Sequence, residues 1–204
     1  KYILINDTLS LKFSSYENEV ELIKNNIFKG TSVNANKYIE NFIVQEEKEE
    51  KLLIDLIKKI RDQNLFNQFK IIIRPHPAVD IKKYKNYFKS KLSQSFNYSI
   101  IRKGTVIECM QSASLIFHSN CTSAIEGYFK GINNIYNFSS EFREGTSYEF
   151  MDILNPLGLE GSIKKAKENY LEKNKNQEKD SIIHKIQNEK NIYQFLGEKM
   201  NNRK

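Results

Sequence analysis

Cysteine is scarce in this chain, and its scarcity removes two classes of protein at once. Only Cys109 and Cys121 occur among 204 residues. Two thiols cannot build a disulfide framework, and neither stands at zinc spacing from a second Cys/His cluster. No metal site is expected, and both thiols read as buried. Long apolar runs are missing as well: nothing approaches the roughly 18 to 20 residues of a membrane helix, and no basic-then-apolar signal opens the chain. The expected location is cytoplasmic, extending at most to the cytoplasmic face of the inner membrane. There is no Gly-x-Gly-x-x-Gly, no Gly-Lys-Ser/Thr P-loop and no Gly-x-Ser-x-Gly elbow, which argues against a dinucleotide dehydrogenase and a P-loop ATPase. The aromatic-interleaved basic motifs of RNA-binding modules are absent too, so no nucleic-acid partner is expected.

What is present is a globular composition. Hydrophobic residues make up 39% of the chain, enough apolar surface to offset the entropy of ordering one domain. The net charge of +7 is unevenly placed. From Lys164 to Lys204 there are eleven Lys/Arg against six Asp/Glu, a surplus of five that leaves two for everything before. Such a basic tail is ordinarily a solvated helix face, with peripheral contact to an anionic membrane as the functional alternative. The chain opens at Lys1 and enters the strand-like run Tyr2-Ile3-Leu4-Ile5 at once, as a piece of a larger protein would.

Along the chain, the polar turn Asn6-Asp7-Thr8 closes that first strand, and an irregular segment follows to about Ser32. Apolar residues at helical spacing from Asn34 to Gln63 predict a long helix or two, interrupted near Glu46 to Glu50, where the acids read as a solvated face rather than a metal site. Phe69 to Ile73 is a β-branched run stopped by Pro75 and Pro77, as a central parallel strand would be. A Lys/Tyr-rich helix over Ile81 to Ser93, a strand over Tyr98 to Ile101 and a helix over Val106 to Ser112 follow. A strand over Ser114 to Phe117, a helix over Thr122 to Lys130 ended by Gly131, and a strand over Ile132 to Tyr136 complete the alternation. This order predicts an α/β fold, a Rossmann-like parallel sheet over residues 1–140. Residues 141–204 are expected to form a helical extension packed on it, with Ile182, Ile186, Tyr193, Leu196 and Met200 on one face of a terminal helix.

Ligands of open parallel sheets bind outside the carboxyl ends of the strands, and two polar clusters fall there. In Arg74-Pro75-His76-Pro77 the prolines fix the backbone and hold the imidazole in one place, which suits an anion, although a structural turn would look the same. The second cluster is His118-Ser119-Asn120-Cys121-Thr122-Ser123-Ala124-Ile125-Glu126-Gly127. Hydroxyl residues at a strand-to-helix junction leave the first helix amides free for a phosphate, or else serve as ordinary caps through Asn120 or Thr122. Glu108 and Glu126 are an alternative acid/base pair, though helix carboxylates are mostly structural.

Taken together, the two clusters resemble those of bacterial surface-carbohydrate biosynthesis proteins, glycosyltransferases of the GT-B fold, over roughly residues 1 to 137. More distantly they are similar to Kdo transferases of capsule assembly, bacterial sialyltransferases and teichoic-acid glycerophosphotransferases. The resemblance implies that this chain is the carboxyl-terminal half of a GT-B fold. The donor would be a nucleotide-activated sugar, CMP-linked (CMP-Kdo or CMP-sialic acid) or another NDP-linked one, for a glycan or lipid-linked acceptor. It further implies that His76 is catalytic and contacts the phosphate with Arg74 and Pro77, that His118, Ser119, Asn120, Thr122 and Ser123 line the donor site, and that Glu126 binds the ribose. No obligatory cofactor or metal is implied. The acceptor site and catalytic base would lie on an amino-terminal domain absent from this sequence. Rival readings are a polyol-phosphate transferase with a CDP-activated donor, a non-catalytic scaffold module docking by its basic tail, and a sugar-nucleotide epimerase.

Overall fold

The computed structural model describes residues 1–14, 35–92, 97–140 and 155–173. Five strands alternate with helices in chain order: β1 (Tyr2–Asn6), α1 (Ala35–Asp62), β2 (Lys70–Arg74), α2 (Ile81–Lys91), β3 (Tyr98–Ile100), α3 (Val106–Ser112), β4 (Leu115–His118), α4 (Ser123–Phe129), β5 (Ile135–Asn137) and α5 (Gly158–Lys173). The chain divides into two units, Lys1–Glu168 and Asn169–Lys204. Of the second only residues 169–173 are described, and the expected terminal helix through Ile182 and Met200 lies outside the described residues, as does most of the segment expected to be irregular before Ser32.

The strands form one parallel sheet in the order β3-β2-β1-β4-β5. This is the Rossmann-like α/β architecture, with its order reversing between β1 and β4. β1 is buried from Ile3 to Asn6, as a strand flanked on both sides must be. Side-chain alternation sends Tyr2 and Leu4 to one face, where Leu4 joins Ile72, Met110, Ala113, Ile116, Ala124 and Ile135 in a core closed by α3 and α4. Each fully buried side chain of this kind contributes roughly 1.5–3 kcal/mol. Right-handed crossovers put α1 and α2 on the other face, beneath which Ile3, Ile5, Ile71, Ile73 and Phe117 are fully buried.

Three expectations need correction. First, α1 runs without a break through Glu46 to Glu50. Second, its acids are not a solvated face: Glu46, Glu49 and Glu50 are 1%, 3% and 6% exposed. Their spacing of i, i+3 and i+4 puts them on one side of the helix, where the loop after β1 supplies hydrogen-bond donors. Third, the thiols of Cys109 and Cys121 are half-buried. Cys109 lies in a helix turn beneath Arg74, 3.7 Å from its Nη1, and Cys121 belongs to the bend leading into α4.

Helix α3 begins with a complete capping box. Thr105 Oγ1 accepts from the Glu108 amide at 3.2 Å, and the Glu108 carboxylate accepts from the Thr105 amide at 2.8 Å. Glu108 is thereby a structural acid, its carboxyl held below the ordinary range by the Thr105 amide and hydroxyl. Thr105→Ala should therefore lower stability by about 1 kcal/mol in urea denaturation, and an unchanged midpoint would show that the box is not formed in solution.

Candidate functional site

Strands β1, β2, β4 and β5 end at one level, and the residues there are polar. Strand register aligns Arg74 with Asn6, Asn6 with His118, and His118 with Asn137. The shared register turns these four side chains to the α3/α4 face, in a row above the apolar core. The reversal of strand order falls in the middle of this row, between Asn6 and His118. The structure therefore brings the Arg74–Pro77 and His118–Ser123 clusters to the same edge of the sheet, on either side of the end of β1.

Within the first cluster, Arg74 is engaged locally. Its guanidinium donates to the carbonyls of Lys103 at 3.1 Å and Gly104 at 2.8 Å, closing the β3–α3 loop. His76 is half-buried, and its Nδ1 accepts from the Ala78 amide at 3.2 Å. That bond fixes the neutral tautomer with its proton on Nε2. Pro75 is buried and Pro77 exposed, so the Pro-His-Pro segment is anchored at one end and open at the other.

The second cluster is mostly folded in on itself. His118 is 2% exposed, and its Nδ1 accepts from the Cys121 amide at 3.3 Å. Burial pushes the imidazole down to about 3, so the ring is neutral and brings no charge to a phosphate. Its Nε2 has no partner among the described residues. Ser119 Oγ pairs with Ser139 Oγ at 2.8 Å. Asn120 takes a left-handed backbone, φ 47°, a conformation Asn tolerates, and its side chain accepts from Asn137 Nδ2 at 3.0 Å. Ser123 Oγ accepts from Asn6 Nδ2 at 3.3 Å and contacts Cys121 Sγ at 2.9 Å.

The amides at the start of α4 are not free, contrary to expectation. Ser123 N–H bonds Cys121 sulfur, and the Ala124 and Ile125 amides donate to the carbonyls of Cys121 and Thr122, both at 3.0 Å. Tight turns at a helix start satisfy their own donors in this way. Thr122 makes no side-chain cap and, like Glu126, is exposed. At this edge Thr122 and Glu126 are thus exposed and His76 half-buried, while His118, Ser119, Asn120 and Ser123 hold the bend.

Sequence reasoning passed over the residues at the centre. Asp7 is buried after β1, where its carboxyl accepts from the amides of Leu9 at 3.2 Å and His76, and from the Tyr84 hydroxyl. Burial raises it well above the ordinary carboxylate range, and the nearby charges of Glu46 and Glu49 push the same way. Thr8 Oγ1 donates to Glu49 Oε2 at 2.9 Å, and also lies 3.1 Å from the Ser119 carbonyl. The available signal was position: Asn6-Asp7-Thr8 directly follows the first apolar strand, where the strand order reverses. Among the described residues no group of three or more His, Cys, Asp or Glu is placed to hold a metal ion, and no helix is long and apolar enough to cross a membrane. Comparison of the chain with protein-family models, curated proteins and solved structures finds no match.

Two pH-dependent outcomes follow from these environments. Because the folded value of Asp7 is raised, its contribution to stability is full below the unfolded carboxylate value of 3.8 and is lost as pH rises through the folded value. Asp7→Asn keeps a neutral acceptor in place. In urea denaturation the variant should gain on the wild type as pH rises from acid to neutral, and a pH-independent difference would mean that Asp7 titrates as an ordinary carboxylate. His118 should keep the nitrogen shifts of a neutral ring down to about pH 3 in NMR spectra. Titration near the ordinary 6.5 would show that water reaches the ring.

Proposed function

We propose that this chain is the donor-binding half of a GT-B-type glycosyltransferase of surface-polysaccharide assembly. Its substrate is a nucleotide-activated sugar of the CMP-Kdo or CMP-sialic acid class, moved to a glycan or lipid-linked acceptor held by a second domain. One observation carries the reading: the Pro-His-Pro segment and the His118–Ser123 bend flank the end of β1 on neighbouring strands of a parallel sheet, at the reversal of strand order where such sheets take nucleotides.

Transfer leaves charge on the departing nucleotide phosphate, so donors fixed beforehand stabilise the transition state more than the bound substrate. His76 fits that role through Nε2–H, because the Ala78 amide fixes its tautomer. The exposed Thr122 hydroxyl lies on the opposite side of β1. Arg74 acts by shaping the β3–α3 loop through its two carbonyl bonds. His118 and Ser123 act by holding the bend before α4. In this reading the last three are positioning residues.

Calorimetric titration with CMP, CDP, UDP and ADP tests the proposal directly. Cytidine nucleotides should bind selectively, and His76→Ala and Thr122→Ala should weaken them without changing the thermal midpoint. In the enzyme completed by its acceptor domain, His76→Ala should cut turnover by about 10² to 10³, or about 2.7 to 4 kcal/mol. Preference for ADP, or affinity unaltered in both variants, would overturn the assignment of this edge as a cytidine-nucleotide site.

A further inference from the structure

The segment from Thr8 to Lys12, between β1 and α1, is unusually rich in inward-facing donors. The amides of Ser10, Leu11 and Lys12 converge on one carboxylate, that of Glu46, at 2.6, 2.9 and 2.8 Å, and the Ser10 hydroxyl joins them at 3.2 Å. Lys12 Nζ forms an ion pair with Glu50, and Thr8 Oγ1 donates to Glu49 at 2.9 Å. Successive main-chain amides with a hydroxyl and an ammonium group are the donor set with which proteins cradle phosphate. The position agrees, since the loop after the first strand of an open parallel sheet is where such cradles stand. Every one of these donors is turned to an acid from a single face of α1.

We propose that the Thr8–Lys12 loop is a binding site for phosphate-bearing ligands, and that in this structure Glu46 occupies it as an internal anion which the ligand displaces. The exchange is chemically balanced: a phosphate brings about two negative charges and several acceptor oxygens, against one charge and two oxygens for a carboxylate. The site is reachable, because Ser10 and Leu11 are half-buried and Lys12 is exposed. The occupied form also carries a built-in opposing force. Glu46 and Glu49 lie close enough to Asp7 to raise its cost of ionisation, and Glu50 adds a fourth acid, 6% exposed. Withdrawal of this stretch of α1 relieves that crowding and frees Lys12 for the ligand. The proposal does not depend on what the phosphate is attached to, and so stands apart from the sugar-donor reading.

Inorganic phosphate is the probe, compared with chloride at equal ionic strength on the full chain. Glu46→Ala removes the internal anion. The variant should melt below the wild type in chloride, regain most of that loss in phosphate, and bind phosphate at least about tenfold more tightly than the wild type, whose open form is a minor population. Adding Lys12→Ala should abolish the phosphate response. If Glu46→Ala does not fold in chloride, refolding in phosphate alone is the same positive result. Failure in both salts, or an equal phosphate response in wild type and variant, overturns the proposal.

Discussion

The carboxylate of Glu46 is the contact on which the working edge of this sheet depends. When a central strand ends, its chain leaves the ladder with main-chain donors that must be paired or exposed. After β1 the chain turns within the interior, and three successive amides have no strand to bond. A side chain from another element has to supply the acceptor. Glu46 does so from the middle of α1, at a separation of some 35 residues, which joins the longest helix to the end of the central strand. Removing that partner leaves part-buried donors unsatisfied, each at a cost below the roughly 1–3 kcal/mol of a fully buried one.

That junction also fixes Asp7. Once the loop is held, Asp7 is confined among the Leu9 and His76 amides and the Tyr84 hydroxyl, and through the His76 amide it ties the β1 and β2 ends together. The Pro-His-Pro segment is thus positioned from two directions. Proline restricts its backbone, and Asp7 fastens it to the centre of the sheet. On the other side, Thr8 spans from Glu49 to the Ser119 carbonyl, and Asn6 reaches Ser123. The residues immediately after β1 therefore contact both motifs, and the strand with the plainest sequence carries the framework of the edge.

The fold was legible because its signals are local. β-branched runs stopped by proline, and helices ended by glycine, are properties of a few neighbouring residues. Four strands fell within a residue or two of where they stand, β5 begins three residues later than expected, at Ile135, and β4 and β5 each extend one residue further, to His118 and Asn137. What could not be read was any partnership across long separations. Three glutamates in a lysine-rich helix look solvated because composition carries no information about what faces them. Only the folded sheet shows that they meet the loop after β1. The same blindness hid the burial of His118. Its sequence neighbours are polar, but its place at the end of a strand buried on both faces is what makes it neutral.

This has a consequence for the chemistry that the edge can perform. A side chain that shapes a site is held by several bonds and shielded from water, while one that acts on a ligand keeps a donor or acceptor turned outward. By that division Arg74, His118, Asn120 and Ser123 belong to the framework, since each is engaged with backbone or buried side chains. His76 differs from His118 in one respect that decides its role: both rings take an amide at Nδ1, but His76 is only half-buried. The same Nδ1 acceptor geometry thus occurs on both sides of the end of β1 in two different surroundings. The buried ring fixes the bend before α4, and the half-buried ring between the prolines is the one that the proposed function assigns to the departing phosphate.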